Sequence, residues 1–563
     1  MVFPNIWSQG QLFAFSALDG ESFASDDFVG VLSGDKIGIR FYTKVKRELM
    51  IVNAVFAPPS FEAVTSDYIS IHYGEDETVQ ILYADRYLIL GTQGKNFALL
   101  LTEGEFESIR VGDIEIQDTK DGDFTGFWKC GKYFALAYGK STQEVTERLS
   151  EARTADVADA VARKRRYYEN NPYPDSHPYA GLYAKCLSTM KTQLYSSEGF
   201  FKGIWSTPDR LPHKYLWLWD SVFHAVGFRN IDPRLAQTLI LDLFDVQGED
   251  GFIPHCSTPS WRSGITQPPV IAWGAYKVFE KSGDRAFLEK IFENNKRFLL
   301  WCRQNRKLTG HELYTWNTQS DVNCRCDESG MDNSPRFDIH ERLFAIDFSC
   351  FMANETRMMA KIARELGDTD GEAYFETWNA QIVKDINALL WSEEDGFYYD
   401  YIISENRFHK VASVASFLPL FAGVCTPTQA ESLVKELRNP ETFCTEFPIP
   451  SISKKDALFG SDMWRGPVWI NYNYMIGEGL KAYGFTDFSK EILHKTVAVL
   501  NAWYQKAGTV FEFYDSDNLK SPDQLNRKGP PVIPYDLTVR YQTIREYGWS
   551  NTLLLDLLCR EQN

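Results

Sequence analysis

The sequence predicts a mainly α-helical protein whose first part is all β: an (α/α)6 barrel preceded by an antiparallel β-sandwich and a helical linker. In the first part, short apolar runs alternate with turn residues at a spacing of about ten residues. A charged stretch with helical periodicity follows, and then twelve helical segments fill the rest of the chain. These changes of pattern predict a sandwich over residues 1–140, a linker over 141–175 and a barrel over 176–563.

The β prediction depends on runs of β-branched, aromatic and aliphatic residues that are bounded by Gly, Asp and Asn. The predicted strands cover 28–32, 37–42, 49–56, 68–73, 79–83, 87–90, 97–101 and 133–138. An Asp-Gly pair within 120–123 predicts a tight hairpin turn. Many short strands joined by such turns are typical of a sandwich of antiparallel sheets.

The linker prediction covers residues 141–169, where charged side chains accompany apolar residues at helical spacing. We interpret this stretch as one connecting helix. The run Asn-Pro-Tyr-Pro-Asp-Ser-His-Pro at 171–178 follows, and its prolines cannot continue a helix. The run therefore predicts a domain boundary.

Twelve predicted helices follow, at 179–194, 221–229, 233–246, 269–281, 285–303, 347–366, 372–390, 412–420, 427–437, 468–483, 489–505 and 545–558. The loops between them alternate between short and long, and the long loops carry aromatic and acidic residues. Six helical hairpins in a double ring would place every second loop at one end, which predicts the (α/α)6 barrel. A helical solenoid is the weaker interpretation, because no motif recurs at a fixed period.

Aromatic residues make up 15% of the chain, which contains 15 Trp and 28 Tyr. Both residue types combine a flat ring with a polar group, and this combination suits the face and the hydroxyl groups of a sugar. The composition therefore indicates a carbohydrate ligand, with a large aromatic core as an equal alternative.

The formal net charge of −17 argues against nucleic acids and anionic membranes as partners, because phosphate binding needs clustered Lys and Arg. No run of about 20 apolar residues occurs, so no membrane span is predicted. The first residues, MVFPNIWSQGQ, lack the basic and apolar regions of a secretion signal. We therefore expect a cytoplasmic protein with reduced thiols. Nothing in the sequence indicates an oligomeric state.

Metal sites are not predicted. Cys324 and Cys326 are the one close pair among ten cysteines, and we interpret both as structural thiols because no second pair or His cluster completes a zinc site. The acidic run at 515–518 lacks the loop glycine and the closing Glu of a calcium loop. We expect neither a metal nor another cofactor.

Asp332 is the first candidate for chemistry. It lies in the polar loop Glu-Ser-Gly-Met-Asp-Asn-Ser-Pro-Arg-Phe at 328–337, and the aromatic residues Tyr314 and Trp316 precede this loop. An acid presented in this way is a candidate proton donor or acceptor, and an acid that caps a helix is the alternative.

Glu512 is the second candidate, because Phe511 and Phe513 flank it. In a strand-like turn the two rings face one way and the carboxylate faces the other. Rings around a carboxylate reduce its solvation and suit it to proton transfer, whereas a surface acid on an edge strand is the alternative. Two isolated acids in aromatic surroundings, on separate loops, are what hydrolysis of a glycosidic bond requires.

Three further loops at predicted helix starts carry candidate sugar-binding residues. These are Trp217, Trp219 and Asp220 in the first loop, Gln267 in the second, and Trp464, Arg465 and Trp469 in the third. The alternatives are structural: a helix-capping Asp among packed indoles, and an Arg that pairs with an acid.

Six short runs, taken together, resemble glycoside hydrolase family 63, which is related to trehalases. The runs are Leu-Trp-Asp-Ser-x-Phe-His at 218–224, Gln-Pro-Pro at 267–269, Glu-Ser-Gly-Met-Asp-Asn-Ser-Pro-Arg at 328–336, Trp-Arg-Gly-Pro-x-Trp at 464–469, Glu-x-Tyr-Asp at 512–515 and Gly-Trp-Ser at 548–550. They occur in the order of the family. The resemblance implies an α/α toroid, an inverting mechanism on α-linked sugars and, in longer members, an N-terminal β-sandwich.

The resemblance also implies residue roles. Asp332 matches the general acid, Glu512 matches the general base, and Asp220 would hold sugar hydroxyls at the non-reducing end. The residues implied to line the same pocket are Trp219, Gln267, Trp464, Arg465 and Trp469, to which the aromatic surroundings add Trp217 and Trp316. Glu328 is the rival acid. The residues after Asp515 depart from the family's Thr-Gly pair, which weakens the alignment of that loop but not the position of Glu512.

These features predict an inverting, exo-acting α-glycosidase, specifically an α-glucosidase that acts on a small α-linked glucoside or oligosaccharide. Asp332, kept protonated by its surroundings, donates a proton to the leaving oxygen, and Glu512 takes a proton from water. A sugar phosphorylase is one alternative, although a Glu occupies the position where a phosphate site would be needed. A non-catalytic carbohydrate-binding protein is another, against which the presence of both acids argues.

Overall fold

The first part of the chain forms two antiparallel sheets. A computed structural model describes residues 1–33, 37–42, 59–74, 77–94, 108–118, 122–169, 171–308, 310–321, 323–339, 341–537 and 539–561. The strands are β1 (Leu12–Ala14), β2 (Val29–Ser33), β3 (Gly38–Tyr42), β4 (Pro59–Val64), β5 (Tyr68–Tyr73), β6 (Glu77–Asp85), β7 (Leu88–Thr92), β8 (Ser108–Val111), β9 (Ile114–Asp118), β10 (Phe124–Cys130) and β11 (Tyr133–Gly139). One sheet has the order β1-β2-β3, and the other has the order β4-β5-β6-β7-β11-β10-β9-β8.

The two sheets share one hydrophobic core, because alternate side chains of each strand point to opposite faces. On β6, Val79, Ile81 and Tyr83 are buried against the residues of the three-stranded sheet. Leu82 lies on the other face, where it joins the core formed with the helices. The large sheet is therefore covered on both sides, by the small sheet on one face and by helices on the other.

The predicted strands at 28–32, 37–42, 68–73, 79–83, 87–90 and 133–138 correspond to β2, β3, β5, β6, β7 and β11. The strands predicted at 49–56 and 97–101 lie outside the described residues. The hairpin predicted at 120–123 joins β9 to β10, which pair antiparallel, although part of the turn also lies outside the described residues. The predicted linker consists of two helices, α1 (Thr142–Ala152) and α2 (Val157–Arg166), because the Asp156 side chain caps a new helix.

The remaining described chain is mainly helical. Its helices are α3 (Ala180–Thr192), α4 (Leu218–Phe228), α5 (Pro233–Asp245), α6 (Ile271–Ser282), α7 (Arg285–Arg306), α8 (Ile346–Leu366), α9 (Thr369–Leu389), α10 (Leu418–Ala422), α11 (Pro427–Leu437), α12 (Ile470–Ala482), α13 (Thr486–Ala507) and α14 (Gly548–Arg560). Short strands lie in the connections: β12 (Leu194–Tyr195), β13 (Trp205–Ser206), β14 (Leu216–Trp217), β15 (Cys256–Thr258), β16 (Trp261–Arg262), β17 (Leu343–Phe344), β18 (Trp391–Ser392), β19 (Phe397–Tyr398), β20 (Asp400–Ile402) and β21 (Arg407–His409). Within the described residues, no helix is both long enough and apolar enough to cross a membrane.

The even-numbered helices contact one another in a cycle. Helix α4 contacts α6, then α6 contacts α8, α8 contacts α10, α10 contacts α12, α12 contacts α14, and α14 returns to α4. Helices α3, α5, α7, α9 and α13 each pack against one or two members of this cycle. Because they are packed on more than one side, α4 and α14 have almost all of their residues buried.

Candidate active site

One cavity of about 550 Å³ lies where the loops before the even-numbered helices meet. It is lined by Pro208, His213, Tyr215, Trp217, Trp219, Asp220, His255, Cys256, Trp261, Gln267, Gln319, Asp321, Asn323, Cys324, Asp327, Gly330, Asp332, Met463, Trp469, Glu512, Arg527, Lys528, Arg540, Tyr541, Tyr547 and Trp549. Asp332 and Glu512 are both among these residues, although 180 positions separate them in the chain. The volume suits one sugar ring with a small substituent.

Asp332 reaches the cavity from the loop between α7 and α8. A single 3-10 turn, Asp327–Ser329, ends at Gly330, which has a φ of +69°. The Asp332 side chain is 17% exposed, and its Oδ2 lies 2.7 Å from the Nζ of Lys528. The ammonium group of Lys528 is thus in direct contact with the carboxyl group for which the sequence predicts a proton-donating role.

Glu512 reaches the cavity from the loop between α13 and α14. Its side chain is buried, and its neighbours Phe511 and Phe513 are fully buried, so it is not a surface acid. The Arg527 guanidinium donates two hydrogen bonds to it, from Nε to Oε2 at 2.7 Å and from Nη2 to Oε1 at 3.1 Å. The backbone N–H of Ile544 also donates to Oε2, at 3.3 Å. Charge-assisted hydrogen bonds of this kind fix the orientation of the buried carboxylate.

Two adjacent basic residues therefore hold the two candidate catalytic acids. Arg527 pairs with Glu512, and Lys528 pairs with Asp332. Lys528 has a φ of +56°, a left-handed conformation that turns the chain between the two pairs. Neither residue was predicted from the sequence. The available signal was a pair of basic residues directly before Gly529 and two prolines.

Asp220 is a third carboxyl group in the cavity. It lies in the first turn of α4, is buried, and its Oδ1 has no hydrogen-bond partner among the described residues. Burial raises the pKa of Asp220 well above its ordinary value, and the charges of Asp209 and Glu512 act in the same direction. A carboxyl group in this state can donate or accept a hydrogen bond when a hydroxyl group enters the cavity.

Aromatic rings form much of the wall, and each of four tryptophans stands at the start of an even-numbered helix. Trp219 contacts Trp549 edge to face at 5.2 Å, and Trp469 lies 5.8 Å from Trp549. Trp217 meets the ring of His255 at 5.2 Å. The side-chain carbonyl of Gln267 accepts a hydrogen bond from the Trp219 backbone N–H at 3.3 Å. The structure thus brings Trp217, Trp219, Asp220, Gln267 and Trp469 together with Asp332 and Glu512.

Three predicted site residues are not among the described residues that line the cavity. Trp316 stacks on Phe348 at 3.8 Å, and its indole N–H donates to Asp347. Trp464 stacks on Trp469 at 4.0 Å from behind the wall. Both rings pack against other aromatic rings, and the structure does not place them in the cavity lining, so their contact with a sugar stays a prediction.

Arg465 is the third of these residues. Its Nε donates to the backbone carbonyl of Asn333 at 2.8 Å, and its Nη2 lies 2.6 Å from Asp338. The structural alternative, an arginine that pairs with an acid, is therefore the one that the structure supports. The residue anchors the Asp332 loop instead of lining the cavity.

The rival acid Glu328 is occupied elsewhere. Arg306 donates to both of its carboxylate oxygens, at 3.1 and 2.6 Å, and the backbone N–H groups of Thr266 and Asn317 donate as well. Glu328 is fully buried and is not among the described residues that line the cavity. It joins the Asp332 loop to the loop before α6 and to the end of α7.

Metal-ligand types occur at one place beside the cavity. One atom each from Cys324, Asp327 and Asp332 lies within 4.8 Å of the others. The Lys528 ammonium lies among them and donates to the Cys324 thiol at 3.0 Å, so this residue supplies the positive charge of the cluster. Cys324, interpreted from the sequence as structural, thus contributes to the cavity. In the acidic run after Glu512, Asp515 accepts from the backbone N–H groups of Leu519 and Lys520, as in a turn.

Other lining residues were not expected from the sequence. Burial lowers the pKa of His255 to about 4, so its imidazole is neutral near pH 7. Trp261 and Tyr541 stand at the rim, each about half exposed. Trp549 could have been predicted, because it belongs to one of the runs that resemble the family. His255, Trp261 and Tyr541 could not, because their positions depend on how distant loops pack against each other.

The sequence of this region is similar to those of known proteins. The family model of the mannosylglycerate hydrolase MGH1-like glycoside hydrolase domain matches residues 213–550. The chain is similar to the mannosylglycerate hydrolase of Thermus thermophilus, with 27% identity over 382 residues that cover 53% of this chain and 89% of that protein. It is 30% identical over 190 residues to the mannosyl-oligosaccharide glucosidase of Saccharomyces cerevisiae, covering 31% of this chain and 22% of that protein.

A solved structure supports the fold. The crystal structure of a GH63 mannosylglycerate hydrolase from Thermus thermophilus, in complex with Tris and D-glycerate, superposes with a TM-score of 0.54 and 24% identity. The match covers 66% of this chain and 98% of that chain. The family model spans more than half of the sequence and includes both candidate acids. The chain therefore belongs to the MGH1-like domain family within glycoside hydrolase family 63, and it hydrolyses O-glycosyl bonds.

Proposed function

We propose that the chain is an inverting, exo-acting α-glycosidase in which Asp332 is the general acid and Glu512 is the general base. The observation that carries this proposal is that both carboxyl groups line one cavity, each held by its own cation from a single loop. An inverting enzyme needs one acid to protonate the leaving oxygen and a separate base to activate water on the opposite face.

The cavity geometry favours the assignment of the two roles. Glu512 is buried and receives two hydrogen bonds from Arg527, which stabilise the ionised form that a base requires. Asp332 is more exposed and pairs with the single ammonium group of Lys528, which leaves its carboxyl group accessible to a leaving oxygen. The roles therefore follow from the difference in surroundings between two similar groups.

The helical cycle supports the predicted scaffold. We infer that α4, α6, α8, α10, α12 and α14 form the inner ring of an (α/α)6 barrel, with the cavity at the N-terminal ends of these helices. The β-sandwich at 1–140 and the linker at 141–175 would then flank a barrel over 176–563. A cavity closed at its base favours removal of a terminal sugar, which is exo action.

The substrate that we propose is a small α-glycoside. We keep an α-glucoside as the first candidate, with the α-mannoside as its counterpart, because relatives are named mannosyl-oligosaccharide glucosidase and mannosylglycerate hydrolase. The aromatic wall and the buried Asp220 fit one sugar ring. Lys528 and Arg540 add positive charge to the cavity, which fits an acidic leaving group such as glycerate.

The test uses α-glucosyl and α-mannosyl derivatives of glycerate and of short sugars. We expect Asp332→Asn and Glu512→Gln each to lower kcat by about 10² to 10⁴, because each removes one proton-transfer group. Asp517→Asn is the matched control: it changes an exposed acid that pairs with Lys454 outside the cavity lining. Full activity in either of the first two variants would refute the assignment.

The same assay separates the alternative functions. Incubation with orthophosphate would yield a sugar 1-phosphate from a phosphorylase, and we expect free sugar instead. Binding of a sugar without turnover by the unmodified protein would indicate a non-catalytic protein.

A further inference from the structure

Lys528 and the candidate acid Asp332 line the same cavity and contact each other. Its Nζ lies 2.7 Å from Asp332 Oδ2 and 3.0 Å from the Cys324 sulfur, and its side chain is 13% exposed. Arg527, next to it, is fully engaged, since it donates to both oxygens of Glu512 and to the backbone carbonyl of Arg540. Both cations line the cavity, and Lys528 is the one that is held by fewer contacts and can change its partner.

The contact creates a conflict with the proposed role of Asp332. A general acid must carry a proton before it can donate one, yet an adjacent ammonium group favours the ionised carboxylate. Burial alone would lower the pKa of Lys528, but the Asp332 charge raises it above its ordinary value, so the lysine is charged. In the empty cavity a charged lysine is therefore paired with the carboxyl group that has to donate the proton.

The other charged groups around Asp332 do not resolve this conflict. Asp327 and Cys324 face it from its own loop, and the pKa of Asp327 is raised by burial first and by the Asp332 charge second. His255, on the loop before α6, is neutral near pH 7. Arg527 adds a second positive charge from the loop that carries Lys528. Only an exchange of the Lys528 partner removes the nearest positive charge from Asp332.

We propose that Lys528 is a specificity-determining residue that couples recognition of an anionic leaving group to protonation of Asp332. This inference rests on the proposed function. The anionic group of the substrate takes the ammonium from Asp332 when the sugar ring occupies the cavity. Asp332 then binds a proton from solvent, and it remains within reach of the glycosidic oxygen.

The proton balance of the cycle is complete. Asp332 transfers its proton to the leaving oxygen as the bond from that oxygen to the anomeric carbon breaks. Glu512 takes a proton from the water whose oxygen bonds to the anomeric carbon. Glu512 then returns its proton to solvent, and Lys528 pairs again with Asp332 once the anionic product leaves. The net reaction consumes one water.

The test compares two substrates that carry the same accepted sugar and differ only in the leaving group. One is the 2-O-α-glycoside of glycerate, which has a carboxylate, and the other is that of glycerol, which has a hydroxyl group instead. We expect the unmodified enzyme to favour the glycerate compound in kcat/KM by roughly tenfold to a hundredfold, the size of one charge-assisted contact. Lys528→Met should reduce this ratio to about one. Lys528→Arg should preserve most of it, because the positive charge remains.

A second readout is the pH profile for the glycerol compound, since kcat/KM reports the free enzyme. Without the ammonium, Asp332 keeps its proton to higher pH, so the alkaline limb should move upward in Lys528→Met. Lys520→Met is the matched control, because it removes one exposed positive charge from the same loop outside the cavity lining. It should leave both the ratio and the limb in place.

The outcomes are separable. The inference would be overturned if Lys528→Met left both the substrate ratio and the alkaline limb unchanged. It would also be overturned if the unmodified enzyme preferred the glycerol compound. In both cases the glycosidase function would stand. If the unmodified enzyme hydrolysed neither compound nor any other α-glycoside, the proposed function itself would fall together with the inference.

Discussion

At the residue scale, Gly330 shows how backbone conformation shapes the cavity. Its φ of +69° is in the left-handed region that favours glycine. A Cβ at this position would lie 2.2 Å from Cζ2 of Trp219, a ring that forms part of the cavity wall. The glycine therefore allows the Asp332 loop and the Trp219 indole to lie side by side.

Gly330→Ala should for this reason reduce catalysis as well as stability. We expect a loss of about 1–3 kcal/mol from backbone strain and a fall in kcat/KM of at least about tenfold, because a displacement of roughly 1 Å in the site is costly. Gly283→Ala is the matched control: Gly283 has a φ of +64°, and nothing lies within 4 Å of its added Cβ. Kinetics and melting temperatures measured on both variants separate the effect of backbone strain, which both share, from the effect of the contact with Trp219, which only Gly330→Ala has. Equal activity in the two variants would contradict the packing argument.

At the element scale, most helices could be predicted because their apolar spacing and caps are local properties of the sequence. Helix α11 begins at Pro427 as predicted, since Thr426 and Gln429 form a capping box. Helix α9 begins three residues before its predicted start because Asp368 caps it. The helix predicted at 412–420 is instead a 3-10 turn followed by the short α10, which ends before Gly423 in the left-handed conformation.

The candidate site could be predicted in part for the same reason. Residues at the start of an even-numbered helix, such as Trp219, Asp220 and Trp469, could be predicted because each belongs to a short motif that is visible in the local sequence. Pairings between loops could not be found in this way: Lys528 meets Asp332 only after two distant loops fold against each other. The sequence likewise could not show that Trp464 stacks behind Trp469 instead of facing the cavity.

At the scale of the whole molecule, buried ion pairs join the β part to the helices. Asp67, between β4 and β5, lies 2.8 Å from the Nζ of Lys164 in α2 and 2.7 Å from that of Lys191 in α3. The N-terminal segment also reaches the catalytic loop, because Arg545 donates to the hydroxyl group of Ser8 at 3.2 Å. The β part is therefore a structural support of the helical part and not a detachable module.

Stability should depend on pH through Asp67. Burial acts to raise its pKa, but the two ammonium groups hold it well below its ordinary value of 3.8. A lowered pKa in the folded state means that the stabilisation is fully present above about pH 4 and is lost as the pH falls below that value. Asp67→Asn should cost about 3–5 kcal/mol at pH 7, because it leaves buried ammonium groups short of a partner.

Thermal unfolding of Asp67→Asn at pH 7 and below pH 4 measures both effects. The variant should melt at a lower temperature at pH 7 and should lose less stability than the unmodified protein on acidification. Asp159→Asn, which removes an exposed pair with Arg163, is the control and should change the melting temperature little. A parallel acid response of Asp67→Asn and the unmodified protein would contradict the assignment.

The central claim is that Asp332 and Glu512 act as the acid and the base of a single-displacement hydrolysis at one anomeric carbon. Proton NMR of the first sugar released from an α-glycoside, recorded before mutarotation, tests it most directly. We predict that the β-anomer appears first, because water activated by Glu512 attacks the face opposite the leaving group. Initial release of the α-anomer would contradict the account, since it requires that a carboxylate attack the sugar.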